Sequence, residues 1–436
     1  MDNKFTLTKL DNNMKLLTIP IKNINLVYVE LSLKLGSDNE TDKQLEITHV
    51  LEHLFSSYTS DKYPRAKEIM SLLKKYGISN NASVSNNTSK YYFKLHKRHL
   101  KFILDLLFVT FTKFKIDSSI YKQEISSVKE EIKAILDDVW FNLNEKIDLE
   151  LYPNHIRSYS QRKYLANVDN LNPKMVMEYY KKMFVPSRCL LSISGDFKEN
   201  EVISMVKKSF GNIPSKNTVS NTCGLKTIPV GPKIIYSNNN PTMSYNLFLL
   251  FRVNCTFFDD LYFDVSALSH VLTNDLESIL YRRLRTKEGL IYSINFDLYL
   301  DEDHSTLSNI SINTQVDGDK LEKTLKIICE ELVKIKKKTI DDDEYKKYLT
   351  DLKIVRHTDK LCKDPSGLID FYGINILHNK EVETYQQIHE RFMNVTPLSI
   401  NKCAEQLFVK DNMLVGYGGK KNMNKVIEKV IKNCGL

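Results

Sequence analysis

The residues best suited to chemistry are His49 and His53, with Glu52 between them. On an α-helix, residues three and four positions apart lie on the same face, so both imidazoles and the carboxylate point the same way. Two neutral imidazoles are good ligands for Zn²⁺, and an adjacent carboxylate can accept a proton from water. The order is the reverse of the commoner H-E-x-x-H arrangement, and it predicts a metal-dependent hydrolytic site.

The flanking sequence favours a buried helix that carries these residues. Residues 27–35 alternate apolar and polar side chains, which predicts a β-strand that ends before Gly36. Thr41 or Asp42 can cap the helix that follows. Its apolar positions form one stripe: Leu45, Val50, Leu51, Leu54 and Phe55. The alternative is a pair of surface histidines on an ordinary amphipathic helix, which the motif alone does not exclude.

A zinc hydrolase needs a third protein ligand, and residues 117–136 offer candidates on a second predicted helix. Glu124 and Glu131 are separated by nearly two helical turns and share a face, whereas Glu130 lies about a quarter turn away. One of the paired acids could bind zinc while the other orients a ligand. The alternative is a row of solvated surface carboxylates.

The two segments together resemble the pitrilysin and mitochondrial-processing-peptidase family of zinc metallopeptidases. Members of that family pair the inverted motif with a later glutamate that is itself preceded, two helical turns earlier, by another. The resemblance implies one Zn²⁺ ion per chain, held by His49, His53 and Glu131. It also implies that Glu52 is the general base and Glu124 the supporting acid. Glu130 is the rival third ligand, and the spacing from Glu124 favours Glu131.

Two further segments carry the resemblance. Residues 77–91 are similar to the family's polar edge strand, which implies that Asn81 and Ala82 bind substrate. A polar edge strand can take up an extended peptide by strand addition, although polarity also protects an ordinary edge from aggregation. Arg285 and Tyr292 match the family's second-half signature, in which such a pair binds substrate near the scissile carbonyl. Without the resemblance they would be interpreted as a solvated arginine and a half-buried strand tyrosine.

The sequence departs from the family pattern at two places. Glu46 stands where relatives usually have glycine, three residues before the first motif histidine. Residues 56–59 stand where relatives tend to have a Gly-Thr pair. These departures affect the expected fit of the neighbouring loops and the substrate pocket rather than the metal ligands.

An internal repeat is visible without reference to any family. The pattern of residues 184–195 recurs at 408–419, and that of residues 48–51 recurs at 269–272, each about half the chain away. Each copy of the shorter segment follows an alternating strand. The sequence therefore predicts a duplicated domain.

The second copy lacks the metal motif. Thr273 and Asn274 stand at the positions that Glu52 and His53 occupy in the first copy. His270, the equivalent of the first histidine, is therefore interpreted as a structural remnant. Only the first domain is expected to bind metal.

The length of 436 residues also favours two domains. The predicted division is a catalytic domain over 1–211, a linker rich in proline and glycine over 212–232, and a homologous domain over 233–436. Strands and long helices are mixed without regular alternation, which indicates an α+β fold. The resemblance implies that each domain is a mainly antiparallel sheet packed with helices.

The resemblance implies a zinc endopeptidase that cleaves peptides or unfolded, presequence-like segments inside a clamshell cavity. A chain with two domains implies a homodimer or a heterodimer with a related subunit, in which Arg285 and Tyr292 of one chain could serve the zinc of the other. A non-catalytic structural or chaperone-like subunit that binds peptides is the alternative, disfavoured because no motif residue is lost. A metal-binding protein without turnover would not require Glu52.

Composition narrows the functions and locations that remain for this protein. The net charge of +8 is not organised with aromatic residues into a nucleic-acid surface. Residues 99–113 are apolar but too short, and contain Asp105, so they predict a core helix and no membrane span. Seven scattered cysteines without a C-x-x-C pair indicate a reducing compartment. With no signal or transit peptide evident, a cytoplasmic or other reducing intracellular location is expected.

Overall fold

The computed structural model describes residues 5–138, 140–215, 231–238, 244–338, 340–358 and 364–436. The β-strands in these ranges are β1 (Thr6–Lys9), β2 (Lys15–Pro20), β3 (Leu26–Leu33), β4 (Ser79–Val84), β5 (Ser89–His96), β6 (Cys189–Gly195), β7 (Lys233–Ser237), β8 (Ser244–Arg252), β9 (Ile291–Tyr299), β10 (Asn309–Asp317) and β11 (Met413–Gly418).

The helices alternate irregularly with these strands. They are α1 (Ile47–Ser56), α2 (Ala66–Lys75), α3 (Leu100–Lys113), α4 (Ser118–Asp137), α5 (Phe141–Leu151), α6 (Gln161–Val168), α7 (Pro173–Met183), α8 (Glu199–Lys208), α9 (Leu261–Thr273), α10 (Ile279–Tyr281), α11 (Leu321–Lys337), α12 (Asp342–Thr358), α13 (Pro365–Leu377), α14 (Tyr385–Asn394), α15 (Pro397–Leu407) and α16 (Asn424–Asn433). A π-helical segment, Arg282–Lys287, continues α10.

The strands form two sheets with the same topology. The first has the order β1-β2-β6-β3-β5-β4 and the second the order β7-β11-β8-β10-β9. In each, one neighbouring pair is parallel (β2 with β6, β7 with β11) and the other pairs are antiparallel. Apart from the additional β1, the second sheet repeats the first strand for strand. The predicted α+β fold with two homologous domains and mainly antiparallel sheets is confirmed.

The strand β3 carries the alternating side chains seen in the sequence, but both of its faces are buried from Val29 to Leu33, and it ends two residues earlier than expected. Its Val27, Val29 and Leu31 are fully buried. The helix α1 follows and places Leu54 and Phe55 in the same core, where the Phe55 ring packs against Tyr91 of β5. Buried side chains therefore fix both the strand β3 and the helix α1 in the core.

The chain divides into two compact units, and two segments depart from the predicted ranges 1–211 and 233–436. Among the described residues, the first unit contains 5–134, 161–215 and 364–384, and the second contains the rest. Residues 135–160 thus belong to the second unit although they precede the predicted linker, and 364–384 belong to the first although they follow it. Of the linker predicted over 212–232, residues 216–230 lie outside the described residues.

The units differ from the predicted ranges because of the helix that packs on each sheet. In the first unit, α13 packs its Ile369 and Tyr372 against Leu17 of β2 and Leu190 of β6. In the second unit, α5 packs on β7, β8 and β11 through a separate apolar cluster: Leu143, Ile147, Leu151, Ile235, Leu250 and Leu414. Each sheet is completed by a helix from the other half of the sequence.

The apolar segment that the sequence assigned to the core is α3, which begins one residue later than expected, at Leu100. Its Ile103, Leu106 and Leu107 are fully buried. Among the helices that the structure describes, none is long and apolar enough to cross a membrane.

Candidate functional site

The helix α1, which carries both motif histidines, begins at Ile47, and Glu46 precedes it. The predicted caps Thr41 and Asp42 lie too far upstream for this role. Instead, the carboxylate of Glu40 accepts hydrogen bonds from the backbone N–H groups of Glu46 (2.9 Å) and Thr48 (2.8 Å). These groups are among the unpaired donors at a helix start, so a more distant carboxylate performs the capping function.

The structure brings His49 and His53 of α1 together with Glu131 of α4. One ligand atom from each lies within 4.8 Å of the other two. Nε2 of His49 is 3.2 Å from a Glu131 carboxylate oxygen, and Nε2 of His53 is 3.7 Å from the other oxygen. Two imidazoles and one carboxylate converging in this way fit the His₂Glu donor set of catalytic zinc sites.

The second nitrogen of each imidazole also faces a carboxylate. Nδ1 of His53 lies 3.0 Å from Glu124 of α4, as expected for the supporting acid. Nδ1 of His49 lies 2.7 Å from Glu46. With both Nδ1 atoms engaged, both Nε2 atoms remain available toward Glu131. The contact of Glu46 was missed by sequence reasoning, and its only sequence signal is the three-residue spacing from His49 on one helical turn.

The helix α4 holds Glu124 and Glu131 on the face toward α1. Its start is fixed by Asp117, whose carboxylate accepts hydrogen bonds from the N–H groups of Ser119 (2.8 Å) and Ile120 (3.1 Å). Glu130, the rival ligand, is instead 2.7 Å from Lys133 on the exposed side of the helix. The geometry therefore places Glu131, not Glu130, beside the histidines.

Glu52 projects from α1 into the same group of side chains. Its side chain is 12% exposed, and a carboxylate oxygen lies 3.9 Å from Nε2 of His53. Burial raises the pKa of Glu52 above its usual range, against the opposing effect of His53 and His49. A carboxyl group whose pKa is raised in this way holds a proton more readily, which suits a group that accepts and returns one.

For His49, the neighbouring carboxylates together affect the pKa more strongly than burial does. Burial lowers the pKa of this imidazole, but the hydrogen bond and charge of Glu46, together with Glu52 and Glu131, raise the pKa above its usual value. The three acids form a negative environment around the two rings. Such an environment favours a bound cation.

These side chains line a cavity of about 1180 Å³. The lining also includes residues of β4, among them Asn81 and Ala82, and residues of α2 such as Met70. All the lining residues belong to the first unit. The cavity is large enough for several residues of an extended peptide.

The strand β4 forms one edge of the first sheet, and it pairs only with β5 among the described strands. Asn81 is exposed and Ala82 partly so. The turn that follows β4 is held close to Gly36, where a Cβ atom would collide with the carbonyl oxygens of Ser85 and Asn86. The polar edge strand that the sequence predicted is therefore present beside the candidate ligands.

Arg285 and Tyr292 lie in the second unit, on the π-helical segment and on β9. Nη1 of Arg285 donates a hydrogen bond to the backbone carbonyl of Tyr292 (2.9 Å), and the guanidinium lies 4.6 Å from the centre of the tyrosine ring. The Tyr292 side chain is 79% exposed. Arg285 and Tyr292 are therefore in contact with each other, and the tyrosine is accessible to solvent.

His270 of α9 occupies the position in the second unit that corresponds to a motif histidine. Its Nε2 lies 3.1 Å from Asp351 of α12, and its ring packs edge-on against Tyr348. Within the described residues, His49, His53 and Glu131 form the one cluster suited to a metal. His270 has the contacts of a structural residue.

Comparison with known proteins identifies the family. Residues 17–153 match the description "Insulinase (Peptidase family M16)", and residues 170–352 match "Peptidase M16 inactive domain". The chain belongs to peptidase family M16. The two matched regions extend into both units, and the region that carries His49, His53 and Glu131 is the one matched by the insulinase description. The M16 match confirms the resemblance to pitrilysin-type metallopeptidases.

Relatives in the M16 family are named as zinc proteases. "Uncharacterized zinc protease YmxG" of Bacillus subtilis is 24% identical over 400 residues, which covers 92% of this chain and 95% of that protein. The mitochondrial-processing peptidase subunit beta of Dictyostelium discoideum is 24% identical over 181 residues, or 41% of this chain and 38% of that protein. Membership of the family thus supports a peptidase that uses zinc.

Solved structures share the fold. A protease from Helicobacter pylori superposes with a TM-score of 0.84 at 19% identity and covers 96% of this chain and 100% of that one. The periplasmic protease PqqL from Escherichia coli superposes with a TM-score of 0.77 at 16% identity, covering 100% of this chain and 50% of that one. At these identities the similarity establishes a shared fold.

Proposed function

We propose that this M16 protein is a zinc-dependent endopeptidase with one Zn²⁺ ion per chain. The observation that carries the proposal is the convergence of His49, His53 and Glu131 beside the buried carboxylate of Glu52, on the wall of a large cavity. Zinc ligation alone would not require Glu52. A buried acid beside the ligands is what hydrolysis needs in addition.

The proposed reaction is hydrolysis of a peptide bond. Water adds its oxygen to the carbonyl carbon while Glu52 accepts one of its protons. As the C–N bond breaks, Glu52 returns that proton to the leaving amine, so that one water is consumed for each bond cleaved. A bound Zn²⁺ ion would supply the Lewis acidity that this site requires. The raised pKa of Glu52 favours acceptance of the proton from water.

The proposed substrate is an extended peptide or an unfolded, presequence-like segment. Such a peptide would add to the free edge of β4, where Asn81 and Ala82 line the cavity. Main-chain pairing with an edge strand makes few demands on side chains. The proposal further assigns to Arg285 and Tyr292 the binding of substrate near the scissile carbonyl and the stabilisation of its developing negative charge.

Cleavage of a mixed peptide library by wild type and by Glu52→Gln tests the catalytic role. The variant retains the proposed ligands but cannot carry the proton, so we expect cleavage to fall by about 10²- to 10⁴-fold. Mass spectrometry of the products measures the loss and identifies the cleavage preference. Zinc content, measured on the same samples, should be unchanged by the substitution.

Glu130→Gln is the matched control because Glu130 is a neighbouring glutamate that faces away from the histidines. It should cleave like wild type, whereas Glu131→Gln should lose both zinc and cleavage. Cuts by Glu52→Gln at the wild-type rate would contradict the assignment of the base. Peptide binding without cleavage by the zinc-loaded wild type would instead favour a chaperone-like subunit.

A further inference from the structure

Glu46 has a backbone conformation that side-chain-bearing residues rarely adopt. Its φ is 70° and its ψ is 1°, in the left-handed region. Glycine adopts this conformation freely, whereas an L-residue with a Cβ atom is strained in it. A glutamate that persists at such a position indicates a role for its side chain that outweighs the strain.

Hydrogen bonds fix both the backbone N–H group and the backbone carbonyl group of Glu46. The N–H group of Glu46 donates to the Glu40 carboxylate (2.9 Å), and its carbonyl oxygen accepts the N–H of Val50 (2.9 Å) in the first turn of α1. The backbone is therefore held at the start of the helix. From this point the side chain, which is 14% exposed, reaches Nδ1 of His49 at 2.7 Å.

The contact is equivalent to that of Glu124 with Nδ1 of His53. A carboxylate that accepts a hydrogen bond from Nδ1–H fixes the tautomer of an imidazole and the direction of its ring. Nε2 of His49 is then free to face Glu131, at 3.2 Å. Each histidine of the cluster thus has its own carboxylate on the far side of the ring, one from α4 and one from the residue that immediately precedes α1.

We propose that Glu46 is a positioning residue for the metal: it holds His49 with Nδ1 protonated and Nε2 directed at Zn²⁺, at the expense of local backbone strain. The inference rests on the proposed zinc site, and it adds a determinant of zinc affinity that comes from this chain's own sequence. Because strain and positioning oppose each other, removal of the side chain should affect folding and zinc binding in opposite directions.

The test compares Glu46→Gly with wild type in two measurements. Thermal unfolding of the zinc-free proteins should show a higher melting temperature for Glu46→Gly, because glycine relieves the left-handed strain. Zinc affinity, measured by competition with a chromophoric chelator, should fall by about tenfold. In the cobalt-substituted proteins, the visible absorption of the ion should also change, because the orientation of one ligand ring is no longer fixed.

Three further variants make the result specific. Asn13→Gly relieves another left-handed residue (φ 70°) in an exposed turn and should leave zinc affinity unchanged. Glu46→Gln keeps an acceptor oxygen at the same reach and should restore affinity to within about threefold of wild type. Glu46→Asn tolerates the left-handed backbone but is too short to reach Nδ1, so it should lose affinity even if Glu46→Gly folds poorly.

Zinc affinity of both Glu46→Gly and Glu46→Asn within about twofold of wild type would overturn the positioning role. An equal loss of affinity in Glu46→Gln and Glu46→Gly would also overturn it, since the acceptor would then be irrelevant. Failure of wild type to bind zinc at all would be a different result: it would reject the proposed function itself.

Discussion

The orientation of an imidazole depends on the partner of the nitrogen that faces away from the reacting centre. In this protein both partners are carboxylates, but only one could be predicted. Glu124 was indicated by its two-turn spacing from Glu131 and by the family resemblance. Glu46 departs from the family pattern, and its contact with His49 depends on a left-handed backbone angle that the sequence does not reveal.

A second titratable residue of interest lies outside this site, on α5. Burial raises the pKa of the Asp148 carboxyl to about 7, against the favourable charge of Arg157. An acid whose pKa is higher in the folded than in the unfolded protein stabilises the fold at low pH. That contribution is lost as the pH rises from about 4 through about 7.

We therefore expect Asp148→Asn to gain stability over wild type as the pH rises. The difference in free energy of unfolding should be small near pH 4 and should reach about 2 to 4 kcal/mol by about pH 8. Urea unfolding of both proteins at several pH values measures it. A difference that does not depend on pH would show that Asp148 ionises normally in the folded protein.

At the scale of elements, the sequence predicted local structure well and the partners of helices poorly. The strand β3 and the helices α1, α3 and α4 lie within a few residues of their predicted positions, because alternation and apolar stripes are local signals. No such local signal shows that α5 packs on the second sheet and α13 on the first. An apolar helix face does not specify which sheet it covers.

Ile369→Ala tests the placement of α13. Ile369 is fully buried against the first sheet, so its truncation should cost about 2 to 5 kcal/mol of stability. Hydrogen exchange should accelerate in β2 and β6, although both strands lie far from α13 in the sequence. Leu398→Ala, at a position that is 54% exposed, is the control and should change stability by less than about 0.5 kcal/mol. Faster exchange confined to the second sheet would contradict the packing.

At the scale of the whole molecule, charge is distributed unevenly. The chain carries a net charge of +8, yet Glu46, Glu52, Glu124 and Glu131 all line the cavity. The sequence alone could not predict this acidic cavity, because an overall excess of lysine does not indicate which carboxylates converge. These four carboxylates favour the binding of cations inside the cavity, although the chain as a whole carries a net positive charge.

The proposed dimer makes a prediction about two chains. If Arg285 of one chain serves the zinc of its partner, a mixture of Glu52→Gln and Arg285→Ala chains should recover cleavage that neither has alone. In a random mixture half of the dimers are mixed, with one complete site each, so we expect about a quarter of the wild-type rate.

The control for this experiment is a mixture of Glu52→Gln with Glu131→Gln chains, in which every site lacks a residue from the first unit. It should remain inactive. Mixed dimers confirmed by mass spectrometry but without recovered cleavage would indicate that Arg285 acts within its own chain or not at all.

The cover of the first sheet by α13 also has a consequence for synthesis of the protein. About 170 residues separate the end of β6 at Gly195 from the start of α13 at Pro365. At ribosomal rates of about 5 to 20 residues per second, the helix emerges about 10 to 30 s after the strand it covers. During that interval Leu17, Ile19 and Leu190 have no helix over them. The nascent chain therefore exposes this apolar surface while about 170 further residues are being synthesised, and the surface is covered only once α13 has emerged.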